Sequence, residues 1–455
     1  MLDKSINSDK YKFFLPLVSF IFFYVLNSSS RSRFLNRPAS FVSTNNSRLL
    51  LLILAFILMI MCINLLVYKI QKIGKGKLLP PPYLISYTSF ILIPIIIDKS
   101  LKLNTFELIN KIFRVSFIRP IFADLNTILT GIGCQAVNHV GDKIICDTKN
   151  DVLWNYPTVL LKLRVFNIDS KITFILGILT ALIFLFILVL SKDLTNIQKT
   201  LLTLLAFSPP LLLVVNRGNF DLLILICLVI AGYSLNRNFK YSLELSYLLI
   251  IFAGTLKFYA IFALPLLLLF NRKIQNYLYF SLVSIIFILI NYRDLWHLNK
   301  FVGRDMSGSF GLPVLISHLN GDADSDLRLF SIGAFLVLII FTYYFNYFKK
   351  KFNTIHLDDY YDYIFLLLSF VFLITWLLAS NYYYRFVLLI FVIPFYFHKK
   401  STIVENFIGM TCFFSFYLSY RTFGFIMNIF LIPMLAFNIF ISYRVINNKY
   451  FTYVK

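Results

Sequence analysis

A chain of 455 residues that is 59% hydrophobic and only 14% charged is too apolar for an ordinary soluble domain, which is about half apolar and a quarter charged. Its net charge of +22 would suit a nucleic-acid binder, but the basic residues cluster in short stretches between apolar runs. That is the pattern of cytoplasmic loops in a multi-pass membrane protein, and it argues against nucleic acid as a partner.

Residues 1–12 are polar and mixed in charge, and the apolar stretch after them has no small-residue cleavage site, so it reads as a retained segment rather than a signal peptide. Apolar runs follow at 13–27, 49–68, 83–97, 171–191, 200–215, 220–235, 243–256, 258–270, 277–292, 329–347, 361–379, 385–397, 403–420 and 424–442. Several approach the ~20 residues needed to cross ~30 Å of hydrocarbon, and others, such as 258–270, are short and read as tilted or half-buried. The expected fold is therefore all-α, a polytopic transmembrane bundle of about 13–14 membrane segments. No internal repeat is visible.

Lys69, Lys72, Lys75 and Lys77, Arg272 and Lys273, Lys349 to Lys351, and Lys399 and Lys400 mark the cytoplasmic side. The alternation then puts loop 98–170, the junctions at Asn216–Asp221 and Lys257–Tyr259, loop 293–328 and Asn381–Arg385 on the extracytoplasmic face. Loop 28–48, with Arg31, Arg33, Arg37 and Arg48, also falls outside, against its charge, which leaves open whether 13–27 spans. The chain divides into N-terminal segments (1–97), an extracytoplasmic loop (98–170), a transmembrane core (171–292), a second outer loop (293–328) and C-terminal segments (329–455).

Within loop 98–170, apolar residues recur at helical spacing over Phe106–Phe122, with Lys111, Arg114 and Arg119 between them, as in a helix lying in the membrane interface. Asp124 follows directly. A carboxylate near the headgroups suits a general base toward a hydroxyl acceptor, and it equally suits a helix cap. Asp142, Asp147 and Asp151 are alternatives in the same loop. Cys134 and Cys146, twelve positions apart, form a possible disulfide if the loop faces an oxidising compartment. The loop closes on Trp154-Asn155-Tyr156-Pro157, where Pro opens a helix and Tyr suits an interface.

Asn216-Arg217-Gly218-Asn219-Phe220-Asp221 stands between two apolar spans, where ionisable groups cost several kcal/mol unless used. Lys257, inside the run Ile250–Ala260, is either a snorkelling helix-end lysine or a cation for phosphate, with Arg217 a second donor. Asn381-Tyr382-Tyr383-Tyr384-Arg385 reads as an aromatic belt or as a platform for sugar or isoprenoid, with Arg385 a third cation. His139, His297, His318 and His356 have no ligand spacing, and Asp322, Asp324 and Asp326 fall short of a calcium loop, so no metal is expected.

Asn-Arg-Gly-Asn-Phe-Asp followed by Leu-Lys-Phe-Tyr, with an upstream loop Asp and Asn-Tyr-Pro, resembles the polyprenol-phosphate-mannose-dependent mannosyltransferase-like family over residues 120–270. These are integral glycosyltransferases of the C superfamily. The resemblance implies that fold, with interfacial helices in the first outer loop. It also implies a multi-pass cell-membrane enzyme whose active site faces outward. It further implies a polyprenyl-phosphate-linked sugar donor, a glycan or glycolipid acceptor, membrane lipids as surroundings, and no cofactor.

On that resemblance Asp124 is the catalytic base, and Arg217 and Lys257 bind the donor phosphate; Arg385, outside the resembling stretch, is a weaker phosphate candidate. Asn219, Tyr156, Asn155 and Tyr259 orient substrate. The chain departs from the family in two extra apolar segments before the loop, and in Phe258-Tyr259 where Tyr-Pro is common. A transporter or flippase for lipid-linked glycans, or a polymerase or ligase using a diphosphate-linked donor, remains an alternative.

Thiol labelling of intact cells tests the disulfide: Cys134 and Cys146 should react only after reductant is added, whereas two freely labelled thiols would exclude the bridge.

Overall fold

Apolar runs become helices, and some end at Gly or stop ahead of Pro, because Pro lacks a donor and Gly reaches left-handed backbone without strain. A computed structural model describes residues 122–133, 138–140, 143–145, 152–153, 156–166, 170–189, 194–206, 208–237, 240–270, 274–296, 309–311, 360–378, 381–397, 401, 403–416, 431 and 434–435. The expected segments at 13–27, 49–68, 83–97 and 329–347 lie outside these residues, as does the expected interfacial helix apart from Phe122, which is a turn residue.

The described residues are essentially all helical. In chain order the α-helices are α1 (Ala123–Gly133), α2 (Thr173–Val189), α3 (Asn196–Ala206), α4 (Pro209–Arg217), α5 (Asp221–Arg237) and α6 (Ser242–Leu256). They continue with α7 (Leu264–Phe270), α8 (Ile274–Trp296), α9 (Tyr360–Leu378) and α10 (Ile403–Ser415). Strands of two or three residues form two small antiparallel ribbons. One is β1 (Asn138–Val140), β2 (Lys143–Ile145) and β3 (Val152–Leu153). The other pairs β4 (Ser309–Phe310) with β5 (Asn381–Tyr382), joining two segments expected on the same face.

Helices α5 and α6 form a hairpin, and α9 packs along α5. The contacts are close because small residues line them. Ser234 Oγ on α5 meets Ser246 Oγ on α6 at 2.9 Å, and a Cβ on Gly232 would lie 2.7–2.9 Å from atoms of Ile364 on α9. Small residues and hydroxyl bridges are how helices associate where lipid tails compete with any apolar contact.

Three expected segments are not single α-helices. The run 200–215 is α3 plus α4, bent by 51° at a break before Pro209, where two prolines remove two donors. The run 258–270 is a 3-10 turn, Phe258–Ala263, followed by α7. The run 385–397 is wound as two 3-10 helices, Tyr383–Leu389 and Ile393–Phe397, with Phe386 through Ile393 buried. Loop 98–170 also holds more structure than expected: α1, the β1–β3 ribbon and a 3-10 helix, Thr158–Phe166.

Among the described residues, one helix is long and apolar enough to cross a membrane alone, through Ile274–Tyr292 of α8; the bent α3–α4 pair adds a second if taken as one span. The outer surface is apolar too. Leu278, Leu282, Ile285 and Leu289 of α8, and Leu248 and Phe252 of α6, are all at least half exposed. Contiguous exposed apolar surface of this kind marks contact with lipid or a partner.

Helix α4 ends in a Schellman motif: the Gly218 N–H donates to Val215 O and the Asn219 N–H to Val214 O, both at 3.1 Å. Gly218 has φ +61°, and a Cβ there would stand 3.0 Å from the Cβ atoms of Phe122 and Leu125. Gly218→Ala should therefore lower unfolding stability by about 1–2 kcal/mol, from left-handed backbone and crowding against α1. Unchanged denaturation in detergent would contradict this packing.

Candidate functional site

The α4–α5 junction sets two opposite charges two helix ends apart. Arg217 lies in the last turn of α4, where the helix dipole favours a cation, and Asp221 in the first turn of α5, where it favours an anion. Between them Asn219 caps α5, its Oδ1 accepting the Asp221 N–H at 3.0 Å.

Helix α1 is fastened to the same junction. Phe122 N–H donates to Asn216 O at 2.7 Å, and Phe122 adopts φ +64°, a conformation costly for a bulky residue. Its ring is held where a Cβ on Gly177 would stand only 2.4 Å from it. Strained backbone held by surrounding packing is a feature of functional sites. Two residues on, Asp124 enters the first turn of α1. It was expected in a loop past an interfacial helix; it is instead at a helix start aimed at Arg217.

The contacts form one network. Arg217 Nε lies 2.9 and 2.8 Å from Asp124 Oδ1 and Oδ2, and Arg217 Nη2 lies 2.5 Å from Oδ1. Asn219 Nδ2 donates to Asp124 Oδ2 at 2.5 Å, while Lys257 Nζ donates to Asn219 Oδ1 at 2.7 Å. Lys257 also pairs with Asp221 Oδ1 at 2.5 Å, and Tyr259 donates to the same oxygen at 2.8 Å. Arg385 Nε stands 3.7 Å from Asp221 Oδ2, at ion-pair distance, and its guanidinium lies 4.6 Å from the centre of the Tyr259 ring.

Lys257 reaches the site because α6 stops there. Its backbone is extended (φ −151°, ψ 131°), it closes α6 through an N–H bond to Ala253 O, and the 3-10 turn begins after it. Tyr156 stands on the other side, edge-on to Phe220 at 5.7 Å and with Lys257 Nζ 5.8 Å from its ring centre. Its segment is tied down by Asp294 of α8, whose Oδ2 accepts both the N–H and the hydroxyl of Thr158 at 2.8 Å.

The network thus joins Asp124, Arg217, Asn219, Lys257, Tyr259, Arg385 and Tyr156, residues separated by up to 261 positions in the chain. Asn155, Cys134 and Cys146 lie outside the described residues, as do the alternatives Asp142, Asp147 and Asp151. Two expectations change. Asn219, 1% exposed, orients the Asp124 carboxylate and Lys257 rather than facing a substrate. Tyr383 is neither belt nor platform, since it is buried and its hydroxyl donates to Phe416 O.

Asp221 was missed as a site residue. It is fully buried and faces Lys257, Tyr259 and Arg385. The available signal was charge balance: cations within apolar runs call for a carboxylate between them. Asp294 gave no such signal.

Asp221 and Asn219 form the floor. Arg217, Arg385, Lys257 and Asp124 retain 28%, 15%, 13% and 11% side-chain exposure and form the accessible face. Two carboxylates and three cations, partly shielded from water, can hold a phosphate oxyanion through the cations while a carboxylate accepts a proton. Among the described residues no three His, Cys, Asp or Glu side chains are grouped for a metal ion.

No family model, curated relative or solved structure matches the chain.

Removing one partner of a buried ion pair costs about 3–5 kcal/mol because the other charge is left uncompensated. Asp221→Asn should show a loss of this order in chemical denaturation, and Lys257→Met added to it should restore part of the loss. Additive losses in the double variant would contradict a direct Asp221–Lys257 pair.

Proposed function

We propose that this chain is a polytopic membrane glycosyltransferase. It moves a hexose from a polyprenyl-phosphate-linked donor to a hydroxyl of a glycan or glycolipid acceptor, on the extracytoplasmic face of the cell membrane. The observation that carries this reading is the single network in which a carboxylate at a helix start, Asp124, meets Arg217, with Lys257 and Arg385 behind it. The apolar outward faces of α6 and α8 and the small-residue helix contacts support the membrane setting.

In this reaction the acceptor oxygen forms a bond to the anomeric carbon as the bond from that carbon to the phosphate oxygen breaks. The electron pair leaves with the polyprenyl phosphate, whose charge grows from about −1 to −2. The acceptor proton passes to the Asp124 carboxylate and from there to water. Arg217, Lys257 and Arg385 stabilise the growing negative charge, an effect strong in a dry, preorganised site. Direct displacement inverts the anomeric centre. Asp221 keeps Lys257 and Arg385 together against their mutual repulsion, and Tyr259 supports both. Tyr156 and Phe220, both buried, pack edge-on beside Lys257 and help hold its ammonium in place.

Purified protein in lipid, offered synthetic polyprenyl-phosphate hexoses, tests the reading. Wild type should transfer sugar, and Asp124→Asn should be slower by about 10²–10⁴-fold, the usual contribution of a general base. Equal transfer by both would move the base to another residue. Tight lipid binding without transfer from any donor would favour a transporter of lipid-linked glycans.

A further inference from the structure

Resting on the glycosyltransferase reading, the geometry of Asp124 bears on when it can act. Both its oxygens are occupied. Oδ1 faces Arg217 Nε and Nη2, and Oδ2 faces Arg217 Nε and Asn219 Nδ2. A carboxylate has room for about four donors, and three N–H groups, two of them from Arg217, already engage both oxygens, so the guanidinium stands across the edge an acceptor hydroxyl must reach.

The two donors are not equivalent. The Asn219 amide is anchored from behind by Lys257 Nζ and by the Asp221 N–H. Arg217 is at a helix end and is the most exposed charged member of the network. Its planar fork fits phosphate oxygens in the same two-point manner as carboxylate oxygens. A donor phosphate drawn to Lys257 and Arg385 thus meets in Arg217 a cation that must choose between it and Asp124.

We propose that Asp124 is masked by Arg217 until the donor phosphate takes the guanidinium, so that donor binding itself uncovers the base. Asp124 then keeps its bond from Asn219 on Oδ2 and presents Oδ1 to the acceptor hydroxyl. The donor binds first and the acceptor second.

The test is equilibrium binding of polyprenyl phosphate, the leaving group, to protein in lipid nanodiscs. Asp124 competes for Arg217, so Asp124→Asn and the smaller Asp124→Ser should bind the lipid about tenfold tighter than wild type, a size usual for coupling between two ligands. The same substitution in an Arg217→Met background should change nothing, because the contested cation is gone. Tightening that persists without Arg217 would be through-space repulsion between Asp124 and phosphate, and would overturn the mask. So would unchanged or weaker binding by both Asp124 variants, with the glycosyltransferase reading left standing. No polyprenyl phosphate binding by wild type or variants would remove the reading and the mask together. Monodisperse elution of each variant confirms that folded protein is compared.

Discussion

One amide holds the site together. Asn219 offers its N–H to Asp124 and its oxygen to both Lys257 and the Asp221 backbone. The reverse orientation would turn the amide N–H toward an ammonium and its oxygen toward a carboxylate, both repulsive, so the surrounding charges fix the side chain. Through it the Arg217–Asp124 pair and the Lys257–Asp221–Arg385 group become one unit. The Schellman turn at Gly218, the left-handed Phe122 and the cap on α5 all serve to bring the partners of this amide within reach.

The membrane setting proposed for this chain would explain why such a cluster sits at helix junctions. In hydrocarbon, backbone groups must be paired within their own helix, so irregular backbone is tolerated only where protein shields it. The junctions at Gly218 and Lys257 supply that irregular backbone, and the ion pairs occupy the same places. Charges there attract more strongly than in water and cost more to leave unpaired. The helices between carry apolar residues around their circumference, with Ser and Gly where two approach closely.

Much of this was legible from the chain itself. Arg217, Asn219 and Lys257 stand out because polar residues inside apolar runs have few bland explanations, and Asp124 because it follows a basic, helically spaced segment. What stayed hidden depends on long-range contacts. Asp221 looks like a helix-start acid until Lys257 and Arg385, distant in sequence, converge on it. Tyr383 looks like its neighbours Tyr382 and Tyr384 until the backbone winding turns its hydroxyl toward Phe416. The 3-10 winding of Tyr383–Leu389 and Ile393–Phe397 leaves no periodic signature in a run that is apolar at nearly every position. The break at Lys257 was read from the charge that interrupts an apolar run, whereas the break before Pro209 was not, although a proline pair marks it.

The central claim is that these side chains form a phosphate site around a base. It is tested most directly by an experimental structure of the protein in lipid with a bound non-hydrolysable polyprenyl-phosphate sugar analogue. The account predicts phosphate density in hydrogen-bond contact with Arg217 and Lys257, the anomeric carbon toward Asp124, and Asn219 still joined to the Asp124 carboxylate. Phosphate density away from these residues, with Arg217 and Asp124 still paired, would contradict it.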